Sequence, residues 1–402
     1  MSRRWPILLL LPLLLFCGGK KPAPAVAEYP DWNHSIDNSM SQLPKMDNVV
    51  DSFMRFWALK GVSIAVTRND SLIYARGYGK ADLMSPMTPG TTMRLASVSK
   101  LLTAIGIMRL QEEGKLYLDT PVFGPYGVLQ EYDSVIRDDN YYLMTVEHLL
   151  RHQGGFHYRG ADVMFTGYHP STEEFVRSEL RRNLAFTPGS WQQYSNFGYL
   201  LLSLIIEKVS GMPYDEFMQK EVFEPCGCRG FKIAGNYLKD RHPGESMYFM
   251  QPDSEPVTSF DGKYSGVEKC YGGNDVTSLM GAGAWIGSAI ELARVVACID
   301  GLDAIEDILS PDSIQKMTTW YDENTFSLGW VDTKDGEWTR TGSFSGTSAI
   351  IKYFPDGECW VFISNTSAWR GSKFSRNTSY LLKNLRRRFS AQLPSRDLFS
   401  AD

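Results

Sequence analysis

The sequence is short of metal-binding patterns, although it holds six histidines and six cysteines in 402 residues. His148 and His152 stand four apart, as a zinc pair on a helix would, but no glutamate follows His148 in the H-E-x-x-H manner. Cys226-Gly227-Cys228 is too closely spaced for an easy disulfide and has no second pair to complete a zinc site. Setting Cys17 aside leaves an odd number of cysteines, which read as mostly buried thiols with room for one bridge. No G-x-S-x-G elbow, P-loop or G-x-G-x-x-G with a suitable acid occurs, which disfavours ordinary lipases, NTPases and dinucleotide enzymes. No long basic run precedes the last helix and the net charge is -5, so nothing points to nucleic acid. There are no internal repeats.

Long apolar runs are also scarce. The one at Ile7 to Phe16 is too short for a comfortable membrane span. With Arg3 and Arg4 ahead of it, residues 1–16 read as an export signal. Cys17-Gly18-Gly19 directly after the apolar run resembles a bacterial lipobox, with Phe16 where a small residue is usual. The rival cleavage site, after Ala25-Val26-Ala27, lies far from the apolar run. The expectation is a protein of the bacterial cell envelope, lipid-anchored through Cys17 and facing the periplasm or the exterior. Residues 17–44 form a tether, and its Pro/Ala stretch from Lys20 to Glu28 has no capacity to pack.

What is present is ample for a large core, at 43% hydrophobic content with 13% aromatics. An amphipathic helix is expected over residues 46–60, then a hairpin of strands 61–66 and 71–79 turning at Arg68-Asn69-Asp70. From 120 to 280 the pattern is helical with long loops, clearest in the helix 197–210. A helix over 289–298 leads to strands at 327–332, 338–341, 347–353 and 358–364, and a basic amphipathic helix over 375–389. The reading is α+β: a domain over 45–390 and a tail over 391–402. Within the domain, an α/β part (about 45–119 and 281–390) carries an antiparallel sheet flanked by helices, and 120–280 is an inserted all-α part.

The chain is organised around Ser97-Val98-Ser99-Lys100. After Ser97 the apolar residues Val98, Leu101, Leu102, Ile105 and Met108 follow a helical period. Ser97 and Lys100 therefore share a face one turn apart, with Ser97 at the positive end of the helix. A serine hydroxyl needs something to take its proton, and a desolvated lysine one turn away is among the few groups able to do so. This is the S-x-x-K arrangement of penicillin-recognising serine enzymes.

A second stretch, Tyr194-Ser195-Asn196, follows the turn Pro188-Gly189 and opens the helix 197–210. In order with S-x-x-K, it resembles the serine β-lactamase / D-alanyl-D-alanine carboxypeptidase superfamily, in the class C branch that also holds esterases. Gly61–Val66, Leu149-Leu150-Arg151-His152-Gln153-Gly154-Gly155 and Phe326-Ser327-Leu328-Gly329-Trp330 resemble further family phrases in family order. A third stretch, Arg340-Thr341-Gly342-Ser343, resembles the family's Lys-Thr-Gly or His-Thr-Gly strand, with arginine at the Lys/His position.

The resemblance implies a serine hydrolase that acylates Ser97, with Lys100 and Tyr194 sharing the general-base and general-acid work. Asn196 would bind the substrate amide and orient Lys100. Arg340 would grip a substrate carboxylate with two hydrogen bonds. Gly342 would let substrate approach the strand beside Thr341, and the Ser343 N–H would complete an oxyanion hole with that of Ser97. The substrates implied are β-lactams, D-amino-acid peptides or small esters, handled by a monomer without metal or organic cofactor. The alternative is a non-hydrolytic envelope protein that binds peptidoglycan fragments with a degenerate site.

Overall fold

A computed structural model describes residues 29–400 except 157–161, 324 and 368–371. The export signal, Cys17 and most of the tether lie outside the described residues. The first of these form a short helix, α1 (Trp32–Ser35), and then α2 (Pro44–Trp57), which begins on a proline that needs no N–H partner. β1 (Gly61–Arg68) and β2 (Ser71–Gly79) make the expected hairpin, with Asn69 and Asp70 both at positive φ as a tight turn requires.

β3 (Met93–Arg94) leads into α3 (Ser99–Glu112). The middle of the chain supplies α4 (Val146–Leu150), α5 (Thr172–Glu179), α6 (Asn196–Ser210), α7 (Tyr214–Met218) and the short strand β4 (Lys232–Ile233). β5 (Trp285–Gly287), α8 (Ala289–Ala297) and α9 (Pro311–Thr318) follow. β6 (Trp338–Phe344), β7 (Thr347–Tyr353), β8 (Glu358–Ser364) and α10 (Ser372–Phe389) complete the order.

The main sheet runs β2-β1-β8-β7-β6, antiparallel throughout. Its two ends in sequence are sewn together where β1 pairs β8, from Val62 opposite Ser364 to Arg68 opposite Glu358. Alternation along each strand divides the core. One face buries Ile64, Val66, Ile350, Trp360 and Phe362 under α2 and α10. The other packs Ala65, Ile351, Val361 and Ile363 into a larger core with α8, α3 and α6. Each large side chain so buried contributes about 1.5–3 kcal/mol.

Two departures from the sequence expectations bear on the site. Residues 327–332 do not form a strand; only Asp332 bridges to Thr339. Gly329 turns there with φ +82, and a Cβ on it would sit 2.7 Å from that of Ala104. Residues 327–330 are buried throughout, in a loop pressed onto α3 at Gly329. The second departure is a small sheet, β3-β5-β4, whose strands are too short to show a period. All five described cysteines are buried and free, so the bridge is not formed among them. Among the described residues no helix is long and apolar enough to cross a membrane.

Candidate active site

Ser97 lies in a single 3-10 turn, Ala96–Val98, that runs directly into α3. Ala96 just before it is held at φ +48, a conformation that costs a non-glycine residue about 1–3 kcal/mol. The turn is fixed from several sides. Leu95 N donates to Trp285 O at 2.8 Å, Val98 N donates to Leu95 O at 3.1 Å, and Arg340 Nε donates to Ser97 O at 2.8 Å.

Lys100 is fully buried. Its Nζ contacts Asn196 Oδ1 and Ala282 O, each at 2.6 Å, and Ser97 Oγ at 3.3 Å. The amide orientation of Asn196 is fixed by its other end, where Nδ2 donates to Asp162 Oδ2 at 2.9 Å. Asn196 is the first residue of α6, while the capping is done by Ser195, whose Oγ accepts from Gly198 N. Tyr194 Oη donates to Ser97 Oγ at 2.7 Å. The structure thus brings Ser97, Lys100, Tyr194 and Asn196 into one hydrogen-bonded group.

β6 passes against this group with Trp338, Arg340 and Gly342 on its inner side, while Thr341 is half-buried and Ser343 exposed. A Cβ on Gly342 would lie 2.2 Å from Leu95 O and 2.9 Å from both Ser97 N and Val98 N. Only a glycine lets the strand come this close to the nucleophile turn. Gly342→Ala is expected to push them apart, at a stability cost of about 1–3 kcal/mol, and to lower turnover more than an exposed substitution at Ser343. Thermal melts beside an ester assay would check both.

Arg340 corrects one expectation. It is 1% exposed, with Nε engaged on Ser97 O and Nη2 buried without a partner. A guanidinium so enclosed does not offer two free N–H groups to a carboxylate in the open cleft.

The sequence profile described as Beta-lactamase matches residues 46–383. The chain belongs to the beta-lactamase family. It is a serine hydrolase of that family, of the kind that holds penicillin-binding proteins, carboxypeptidases and esterases. It is 32% identical over 246 residues to esterase EstB of Burkholderia gladioli, covering 57% of this chain and 59% of the esterase. Its fold resembles the octameric penicillin-binding protein homologue from Pyrococcus abyssi, at TM-score 0.63 and 25% identity over 85% of this chain and 77% of that one. D-amino acid amidase from Ochrobactrum anthropi SV3 matches at TM-score 0.66 and 19% identity, over 85% of this chain and 99% of the amidase. The α+β class expected from the sequence agrees with these folds.

The electrostatics of this beta-lactamase-family site follow from its burial. Burial lowers the Lys100 pKa to about 8 against the upward pull of Tyr194, and Arg340 adds to the lowering. Burial alone would raise Tyr194, but the charges of Lys100 and then Arg340 outweigh it and hold the phenol below its usual value. Asn196 Oδ1 and Ala282 O can only accept. A neutral Lys100, with two N–H bonds, satisfies both and turns its lone pair toward Ser97 Oγ.

Two contributors were not assigned to the site from the sequence. Asp162 anchors Asn196, and nothing in its spacing signals that. His152 packs against Tyr194, with ring centroids 4.4 Å apart and the rings tilted by 31°, and accepts from Ser195 N through Nδ1. Burial and the Lys100 charge push its pKa well below the usual value, so it is a neutral positioning ring. His148 instead sits in the capping box of α4 with Thr145, and among the described residues no cluster could hold a metal ion. His157 lies outside the described residues, and His169 packs on Phe175.

Proposed function

We propose that the protein is an exported, lipid-anchored monomeric hydrolase that opens small esters, D-amino-acid amides or peptides, and β-lactams through an acyl-Ser97 intermediate. The observation that carries this reading is Ser97 Oγ held between Tyr194 Oη at 2.7 Å and Lys100 Nζ at 3.3 Å. In the first step the Ser97 proton passes to the Lys100/Tyr194 pair as Oγ bonds to the substrate carbonyl carbon. The N–H groups of Ser97 and Ser343 hold the developing oxyanion, and Thr341 lines the same strand. The pair then returns the proton to the leaving alcohol or amine, and water repeats the sequence in reverse to release the acid. The esterase relative favours esters, and the amidase fold neighbour favours D-amino-acid amides. No residue in this scheme calls for a metal or organic cofactor.

The test is intact mass spectrometry after exposure to a penicillin, beside turnover of a p-nitrophenyl ester. An acyl adduct or ester turnover that vanishes in Ser97→Ala is the expected result. Turnover or labelling that survives in Ser97→Ala overturns the acyl-serine mechanism. Neither activity in the folded wild type would favour the silent peptidoglycan binder.

A further inference from the structure

The outermost stripe of the helices on the side of the sheet away from Ser97 is cationic. α10 holds six Lys and Arg residues and no Asp or Glu over its 18 residues. Leu381, Leu382, Leu385 and Phe389 point into the core, while Lys373, Arg376, Tyr380, Lys383 and Arg387 recur along the exposed stripe at helical spacing. α2 lies beside it, joined through the ring contacts of Phe53 and Trp57 with Phe374. Its own outer stripe exposes Lys45, Arg55 and Phe56. Of the cations on these two helices, Lys383 pairs with Glu337 and Arg386 with Asp356 and Glu358, while Lys45, Arg55, Lys373, Arg376 and Arg387 pair with no carboxylate among the described residues. The patch is cationic in a chain whose net charge is -5.

Two large aromatics stand out of it. Phe56 is 64% exposed and Tyr380 62% exposed, one on each helix. Cations interleaved with exposed aromatic rings on a flat amphipathic face match the chemistry of an anionic bilayer surface. Lysine and arginine meet the headgroups, and rings enter the interface. We propose that the α2/α10 face docks on membranes rich in anionic phospholipid. The sheet then stands between the bilayer and Ser97, so the catalytic turn faces away from the membrane. This docking is separate from any anchor at Cys17 and from the chemistry at Ser97.

Every helix and strand described above lies within residues 29–400, so a chain starting at Tyr29 carries the whole fold and tests the face without the amino-terminal apolar segment. It would be co-sedimented with vesicles of phosphatidylglycerol and phosphatidylcholine, with vesicles of phosphatidylcholine alone, and presented to a soluble polyanion, polyglutamate. The expected result is binding to the anionic vesicles at least tenfold above the neutral ones, lost as salt is raised. Each cation reversed should cost about fivefold or more, so Lys45→Glu/Arg376→Glu/Arg387→Glu should lose on the order of a hundredfold. Its melting temperature and ester turnover should stay unchanged. Phe56→Ala/Tyr380→Ala should weaken vesicle binding severalfold and leave polyglutamate binding alone. Equal binding to both vesicles, no vesicle binding, or a triple variant that still binds overturns the proposal. Retention by polyglutamate without vesicle binding overturns it as well.

Discussion

Lys100→Ala and Tyr194→Phe should each lower kcat/KM for an ester by about 10²–10⁴-fold, and the double variant should be little worse than either. The reason is that the two groups act as one proton acceptor for Ser97. Tyr194 Oη and Lys100 Nζ both reach Ser97 Oγ, and the Lys100 charge is a main cause holding the phenol below its usual pKa. Removing either leaves the other with no partner to tune it, so the losses do not add. The form that accepts a proton is the deprotonated one. With Lys100 lowered to about 8, the wild-type rate should rise tenfold per pH unit below that value and level off above it. Lys100→Arg, charged at every accessible pH, should not restore activity. Measuring kcat/KM from pH 5 to 10, with melts to confirm folding, checks both claims. A pH-independent rate would remove Lys100 and Tyr194 from the proton transfer.

Much of this site was legible because its parts are local in sequence. Ser97 and Lys100 share one turn of helix, so their spacing alone places them together. Tyr194 and Asn196 stand on either side of a helix cap whose signal, Ser195 before an apolar period, is also local. The hairpin at Asn69-Asp70 and strands 347–353 and 358–364 were legible for the same reason, alternation over short runs. What was hidden depends on contacts between distant segments. Asp162 reaches Asn196 across 34 residues, and Lys100 finds Ala282 O across 182, neither with any periodic trace. The loop at 327–332 resembled a strand because its apolar residues are buried without strand pairing, Gly329 against α3 and Trp330 against Trp338. The side-chain direction of Arg340 was hidden too. A strand pattern gives the alternation of faces, but which face meets Ser97 is decided by how β6 packs on the nucleophile turn.

That direction makes Arg340 the residue whose replacement separates two mechanisms. Buried against Ser97, its charge lowers the pKa of both Lys100 and Tyr194. Removing the charge in Arg340→Met should let both rise. The rising limb of the pH–rate profile should then move to higher pH, and for every pH unit it moves the rate at neutral pH should fall about tenfold. Arg340→Lys keeps the charge and should keep the limb near its wild-type position. It loses part of the rate, because an ammonium does not reproduce the planar Nε contact with Ser97 O. A residue that only gripped a substrate carboxylate would behave differently. Its loss would raise KM for substrates bearing a carboxylate, spare neutral esters, and leave the limb where it was. Comparing one neutral ester with one carboxylate-bearing ester across the pH range, in wild type and both variants, distinguishes the two. A displaced limb with both substrates is expected from a cation that sits 1% exposed beneath the nucleophile; an unmoved limb with a rise in KM confined to the carboxylate substrate would show that the guanidinium swings out to the cleft.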